Sequence, residues 1–258
     1  VVRRYPIRAD LDFTYGDYEE LIYGCDYTRQ IIISGKVVTG FSEQGEAKLA
    51  NRKDLVLPSK DTEGNTLVGV GANAFKEKGL TSVKFPTGMM VSYDDTITNR
   101  VTKRGNYVIA ESAFAKNELT SVYLPSGVLA VMPNAFMNNK ITKVTLPRTI
   151  WWVETLAFAK NQITKVSFPS TTDFLFEMHG MAFADNQITS VTIPDYVEVI
   201  NKHVFVLNPG MEPCDPAAGE QEVALGGVVY MYTDNMALMY KDRIHHVEKL
   251  TESQKSWH

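Results

Sequence analysis

The chain has 258 residues, of which 44% are hydrophobic and 22% charged, and its formal net charge is −4. This is the composition of an ordinary folded protein, and its mild acidity supplies no basic field for nucleic acid. No apolar run approaches the roughly 18 residues that cross a bilayer as a helix, so membrane insertion by this stretch is not expected.

Residues 1–38 are first rich in tyrosine and acid (Asp10, Asp12, Asp17, Glu19, Glu20), then apolar (Ile31, Ile32, Ile33, Val37, Val38). The opening VVRRYPIRAD contains no secretory apolar core and reads as the start of a processed piece. In DLDFTYG (10–16) the aspartates stand two apart, as in calcium loops. Residue 15, however, is tyrosine where such a loop needs glycine, so a solvated acidic face is expected there. The IIISGKVV run predicts a hairpin-like cap, and Ser42 is placed to N-cap a short helix through Leu49.

From there the chain repeats itself. Ala-Phe recurs at Phe75, Phe114, Phe136, Phe158 and Phe183, with a degenerate Val204-Phe205, in steps of 39, 22, 22, 25 and 22 residues. Each copy continues through a polar turn into L/I-T-x-V-x-hydrophobe-Pro: LTSVKFP (80–86), LTSVYLP (119–125), ITKVTLP (141–147), ITKVSFP (163–169) and ITSVTIP (188–194). The V-x-hydrophobe segment alternates with period two. It predicts a short strand with Val83/Phe85, Val122/Leu124, Val144/Leu146, Val166/Phe168 and Val191/Ile193 turned inward, ended by a proline that cannot donate to a ladder. A second apolar pair, Val128 with Val131 or Ile150 with Val153, points inward on the return side. Each Ala-Phe sits on a tight helical or 3₁₀ turn, its ring filling the coil and contributing about 1.5–3 kcal/mol. One coil cannot bury these faces alone; stacked coils can, as a parallel ladder with about 4.8 Å per rung.

Asn117, Asn139, Asn161 and Asn186 fall three residues after their phenylalanines, which predicts turn residues bonded to local backbone. The step of 39 residues marks an insertion of about 17 residues, at 87–107, relative to the 22-residue coil. Beyond the array, Val223–Tyr232 is expected to pair on the last rung, and Asp242–Trp257 to form a helix or a loose tail.

Nothing in the motifs points to catalysis or a cofactor. No G-x-S-x-G, H-E-x-x-H or phosphate-cradling loop is present. His245 and His246 diverge on any regular element and lack a third metal ligand at a recognisable spacing, while His179 and His203 stand isolated within coils. Cys25 and Cys214 lie in opposite flanks, too far apart for a disulfide, and are expected as free thiols.

Two surfaces are candidates for binding. The column seven residues before each phenylalanine holds Tyr107, Leu129, Trp151 and Phe176, with Trp152 adjoining. Lying between inward positions, it should face outward. Exposed, it would dock a protein or stack on sugar rings; covered by the insertion or the tail, it would be internal. The second surface is the outward strand face, where Lys143 and Lys165, with nearby Arg148, suit an acidic glycan.

The L-x-x-V-x-L-P spacing after an AF turn resembles the BspA-like (Treponema-type) leucine-rich-repeat family over roughly residues 55–205. GFSEQGEAKLANRKDLVLP (40–58) is similar to its lead-in, and VFVLNPG (204–210) with VVYMYT (228–233) to its closing segment. The resemblance implies a right-handed leucine-rich-repeat solenoid, α/β to mostly β, of short parallel strands and turns, capped at both ends. The expected division is 1–38 as N-terminal extension and cap, 39–205 as the array with its lead-in, and 206–258 as C-terminal cap and tail. The resemblance also implies a non-catalytic, secreted or cell-surface bacterial adhesin that recognises a host protein or glycan; the alternative is a targeting or spacer module of a larger secreted protein, and a monomer is expected.

Overall fold

The computed structural model describes residues 10–23, 30–87, 90–95, 100–105, 107–172, 176–194, 196–200, 204–209, 228–231 and 247–248. Its elements, in chain order, are strands β1 (Phe13–Tyr23) and β2 (Gln30–Phe41), helix α1 (Glu43–Leu49), then β3 (Asp54–Val56), β4 (Leu67–Val70), β5 (Ser82–Lys84), β6 (Met90–Asp95), β7 (Arg100–Gly105), β8 (Tyr107–Ile109), β9 (Val122–Tyr123), β10 (Val128–Val131), β11 (Lys143–Thr145), β12 (Trp152–Val153), β13 (Lys165–Ser167), β14 (Phe176–Met178), β15 (Ser190–Ile193), β16 (Val197–Ile200), β17 (Val228–Met231) and β18 (Val247–Glu248). The coils stack as a leucine-rich-repeat solenoid with two ladders. One is an eight-stranded sheet in the order β1-β2-β4-β8-β10-β12-β14-β16, parallel throughout except for the antiparallel pair β1–β2. The other runs through the V-x-hydrophobe segments as β3-β5, β9-β11-β13 and β15-β17-β18.

Between the ladders lies one continuous core. Phe114, Phe136, Phe158 and Phe183 are fully buried, and their rings stack coil upon coil at 5.3, 5.2 and 5.3 Å with interplanar angles of 5°, 7° and 4°. The inward residues Val122, Leu124, Val144, Leu146, Val191 and Ile193 line one side of this spine, and Val128, Val131, Ile150 and Val153 the other.

The Ala-Phe turns form a ladder of their own rather than a helix. In each, the residue before alanine and the second after phenylalanine adopt positive φ, as at Asn134 and Asn138 (both 59°). That geometry turns alternate N–H groups toward the next coil: Asn134 donates to Thr155, Phe136 to Ala157 at 2.8 Å and Asn138 to Ala159 at 3.0 Å. Buried backbone groups must be paired, and asparagine tolerates the left-handed region better than most residues, which explains its use at both positions.

The asparagines three residues after each phenylalanine reach further than local backbone. Asn161 donates from Nδ2 to its own Phe158 carbonyl and to that of Phe136 one coil back, both at 3.0 Å. Its Oδ1 accepts from Ile141 N–H at 3.1 Å. Asn139 and Asn186 repeat the pattern. So does Asn208, which belongs to the degenerate copy.

At the N-terminal end, the IIISGKVV run is part of one continuous strand, β2, whose hairpin partner is β1, not its own second half. β2 also runs through the expected 38/39 division without a break. Ser42 N-caps α1, its hydroxyl accepting from Gly45 N–H at 3.2 Å. Asp12 is not solvated: it is fully buried and takes Lys48 Nζ on both carboxylate oxygens, at 2.6 and 2.7 Å. A buried carboxylate needs such a partner. α1 packs tightly enough on Asp12 that a Cβ at Gly45 would stand 2.1 Å from the Asp12 carbonyl oxygen. At the other end, β17 pairs in parallel with β15 and then with β18. Cys25, Cys214, His203, His245 and His246 lie outside the described residues.

Candidate binding surface

The aromatic column does not form an exposed stripe. Counting back from the phenylalanines aligns Tyr107 with Leu129, but the pairing does not follow that count. Tyr107 lies beside Val128, and Ile109 beside Val131, so β10 carries one more residue across that interval. Leu129 is the extra residue, a bulge. The same register shift sets Phe176 beside Val197. Tyr107 and Phe176 therefore point into the main core, fully buried.

Leu129, Trp151 and Trp152 lie on the opposite face of the eight-stranded sheet, clustered with Val37, Val68 and Val108. They are buried as well, Trp152 completely, and the two indoles stack with centroids 3.7 Å apart. The inserted segment forms a hairpin of β6 and β7 directly before Tyr107, and β7 touches β10. The sheet is thus apolar on both faces, the pattern of a parallel sheet covered on both sides. β4 and β8 approach so closely in it that a Cβ at Gly69 would stand 2.3 Å from the Val108 carbonyl oxygen.

On this second face a charged group adjoins the tryptophans. Glu177, only 2% exposed, pairs in register with Trp152. His179 places Nε2 3.3 Å from Glu177 Oε2 and Nδ1 3.4 Å from Glu154 Oε2. Burial pulls the imidazole pKa down, but the hydrogen bond to Glu177 and the charges of Glu154 and Glu177 outweigh it, leaving the value above the ordinary 6.5. The protonated form is therefore favoured by folding. Its contribution is complete below pH 6.5 and is lost as pH rises through the raised value. The thermal midpoint of the wild type should fall between about pH 6 and pH 9 relative to His179→Gln; equal pH profiles for the two proteins would contradict the assignment. Among the described residues, no group of three or more histidine, cysteine, aspartate or glutamate side chains is placed to hold a metal ion.

The outward strand face is open to solvent. Lys143 and Lys165 are register partners on β11 and β13, both exposed, and Thr145 pairs with Ser167 in the next position. On β9, Tyr123 lies beside Thr145 and is 69% exposed. Lys84 on neighbouring β5 is exposed too, and Arg148 is exposed just past Pro147. The segments SVK, VY, KVT and KVS contain no acid. Lysines on the turn ridge behave differently: Lys78, Lys116 and Lys140 are paired with Glu46, Glu77 and Glu118. Among the described residues no carboxylate pairs with Lys143 or Lys165.

Comparison with family profiles agrees with this architecture. A family profile described as a BspA type leucine-rich-repeat region matches residues 68–211 in six copies, more than half of the chain. Among solved structures, the chain is similar to a leucine-rich cell surface protein from Faecalibacterium prausnitzii A2-165, at 13% identity and a TM-score of 0.37, covering 86% of this chain and 75% of that one. A comparison with curated proteins found no match.

Proposed function

Since the chain belongs to the BspA-type leucine-rich-repeat family, we propose that it is a non-catalytic binding module of a bacterial surface or secreted protein, and that it meets a host protein or glycan through its outward strand face. The observation that carries this reading is the makeup of that face. In a chain of net charge −4, four successive segments, β5, β9, β11 and β13, carry three lysines, an exposed tyrosine and no acid. Lys143 and Lys165 stand on adjacent rungs, where like charges repel, and a bound anion would relieve that repulsion. Tyrosine is among the residues enriched at binding hot spots. The aromatic column has no part in the reading, because it is buried.

The test is retention of the purified chain on an array of extracellular-matrix proteins and glycans, with Lys143→Glu/Lys165→Glu beside the wild type. At least one ligand should be bound, with affinity falling by a factor of ten or more in the double variant, at two charge-assisted contacts of about 1.5–3 kcal/mol each. Both side chains are exposed, so the thermal midpoint should stay unchanged. Undiminished binding by the double variant, or no binding to any member of the array, would contradict the proposal.

A further inference from the structure

Resting on that reading of the strand face, we infer the ligand class: a linear anionic glycan whose sugar rings lie along the rungs, one ring seated on Tyr123 and its carboxylate or sulfate groups on Lys143 and Lys165. Three observations converge on it. First, the surface is hydroxylated. Ser121, Thr142, Thr145 and Thr164 are exposed around the lysines; Thr142 and Thr164 donate their hydroxyls to the carbonyls of Thr120 and Thr142, which leaves those oxygens as acceptors for sugar hydroxyls. The column of threonines is held in place from below, Thr164 N–H donating to Thr142 O at 3.0 Å and Thr142 N–H to Thr120 O at 3.2 Å.

Second, the aromatic group stands alone. Among the outward residues of β5, β9, β11 and β13, Tyr123 is the single aromatic. Its ring stands 69% exposed between the rung of Lys84 and that of Thr145. A peptide ligand would be anchored by apolar side chains in pockets, and this face offers one ring on a polar plane. An aromatic face presented singly matches the axial C–H face of a pyranose.

Third, the cations repeat. Lys143 and Lys165 are one rung apart, about 4.8 Å, a spacing of the order of one sugar unit. Neither is neutralised by a neighbouring acid among the described residues, whereas the ridge lysines Lys78, Lys116 and Lys140 are. Periodic cations suit a periodic anion.

The experiment measures binding of the chain to heparin-derived octasaccharide, hyaluronan octasaccharide and poly-glutamate, for the wild type and for Tyr123→Ala, Tyr123→Phe and Lys143→Gln/Lys165→Gln. At least one oligosaccharide should bind, more weakly as salt rises. The lysine double variant should lose roughly tenfold or more. Tyr123→Ala should lose roughly fivefold, and Tyr123→Phe should bind like the wild type, because the ring and not its hydroxyl is used. Poly-glutamate should bind more weakly, with no dependence on Tyr123.

Failure of both oligosaccharides to bind, or binding indifferent to Tyr123→Ala, overturns the ligand class. Poly-glutamate binding that is tighter and dependent on Tyr123 also overturns it, in favour of an acidic peptide. In these cases the reading of the face stands if Lys143→Glu/Lys165→Glu still abolishes an array hit. Oligosaccharide binding indifferent to the lysine variant overturns both.

Discussion

Replacing Asn161 with alanine is expected to lower the unfolding free energy by about 2–6 kcal/mol. The side chain is 7% exposed and serves four backbone groups in two coils, the fourth being Ala159 O at 3.2 Å, which also keeps its bond from Asn138 N–H. Its loss is not shared equally among them. Phe136 O still accepts from Asn139, and Phe158 O from Asn186, so each carbonyl loses one of two bonds, about 0.5–1.5 kcal/mol apiece. Ile141 N–H has no other acceptor in this arrangement and is left buried and unpaired, at about 1–3 kcal/mol. Asn161→Asp separates the two halves of the role. It keeps the acceptor for Ile141 but brings a carboxylate against two carbonyl oxygens, so it should be at least as damaging as alanine. Equilibrium denaturation in urea is the measurement; a loss below about 1 kcal/mol for Asn161→Ala would mean that the ladder is not a significant bond between coils.

A loss of similar size is expected at the spine. Phe136 is fully buried, with stacked neighbours on both sides at 5.3 and 5.2 Å and Phe85 edge-on at 6.4 Å. Phe136→Ala removes the ring and leaves a cavity between two coils whose backbones are held apart by their own ladders, so collapse into the space is limited. The cost should be about 3–5 kcal/mol, and Phe136→Leu, which keeps most of the volume, should cost appreciably less. Stability in a stacked array is a sum of coil and neighbour-interface terms. Weakening one central interface should therefore broaden the transition or split it, and the denaturant slope should fall along with the midpoint. An unchanged slope with a loss under about 1 kcal/mol would contradict a load shared along the spine.

How much of this was legible in the sequence follows from what each feature depends on. The coils, the central phenylalanines and the inward Val-x-hydrophobe pairs depend only on period, and the period is written plainly. Ser42 as a cap depends on three residues of local geometry, and it too could be read. The asparagine column is legible as a turn residue, but its reach into the preceding coil depends on how coils stack; Asn208, three residues after Phe205, extends the column into the degenerate copy. The aromatic column misled for a physical reason. A bulge at Leu129 and none at Tyr107 shift the face presented by residues at equal distance from their phenylalanines. The burial of Trp151 and Trp152 depends on what covers the second face of the sheet, and no period encodes that. Asp12 reads as a solvent-facing acid because its partner, Lys48, is 36 residues away. Likewise, β1 does not read as a strand, because its pairing with β2 is not visible in a tyrosine-rich and acidic stretch.

The candidate binding residues divide along the same line. Lys143 and Lys165 are exposed, as their outward positions predicted, and Arg148 nearby is exposed too, whereas Tyr107, Leu129, Trp151, Trp152 and Phe176 are interior. That division is the central claim: the apolar side chains of the array are spent on its inside, and the polar strand face is left to act. Acrylamide quenching of tryptophan fluorescence, in the chain carrying Trp257→Phe so that only Trp151 and Trp152 report, tests it most directly. The account predicts quenching far below that of free N-acetyltryptophanamide and rising to it only on unfolding. Quenching close to that of the free indole in the folded protein would contradict it and return the aromatic column to the surface.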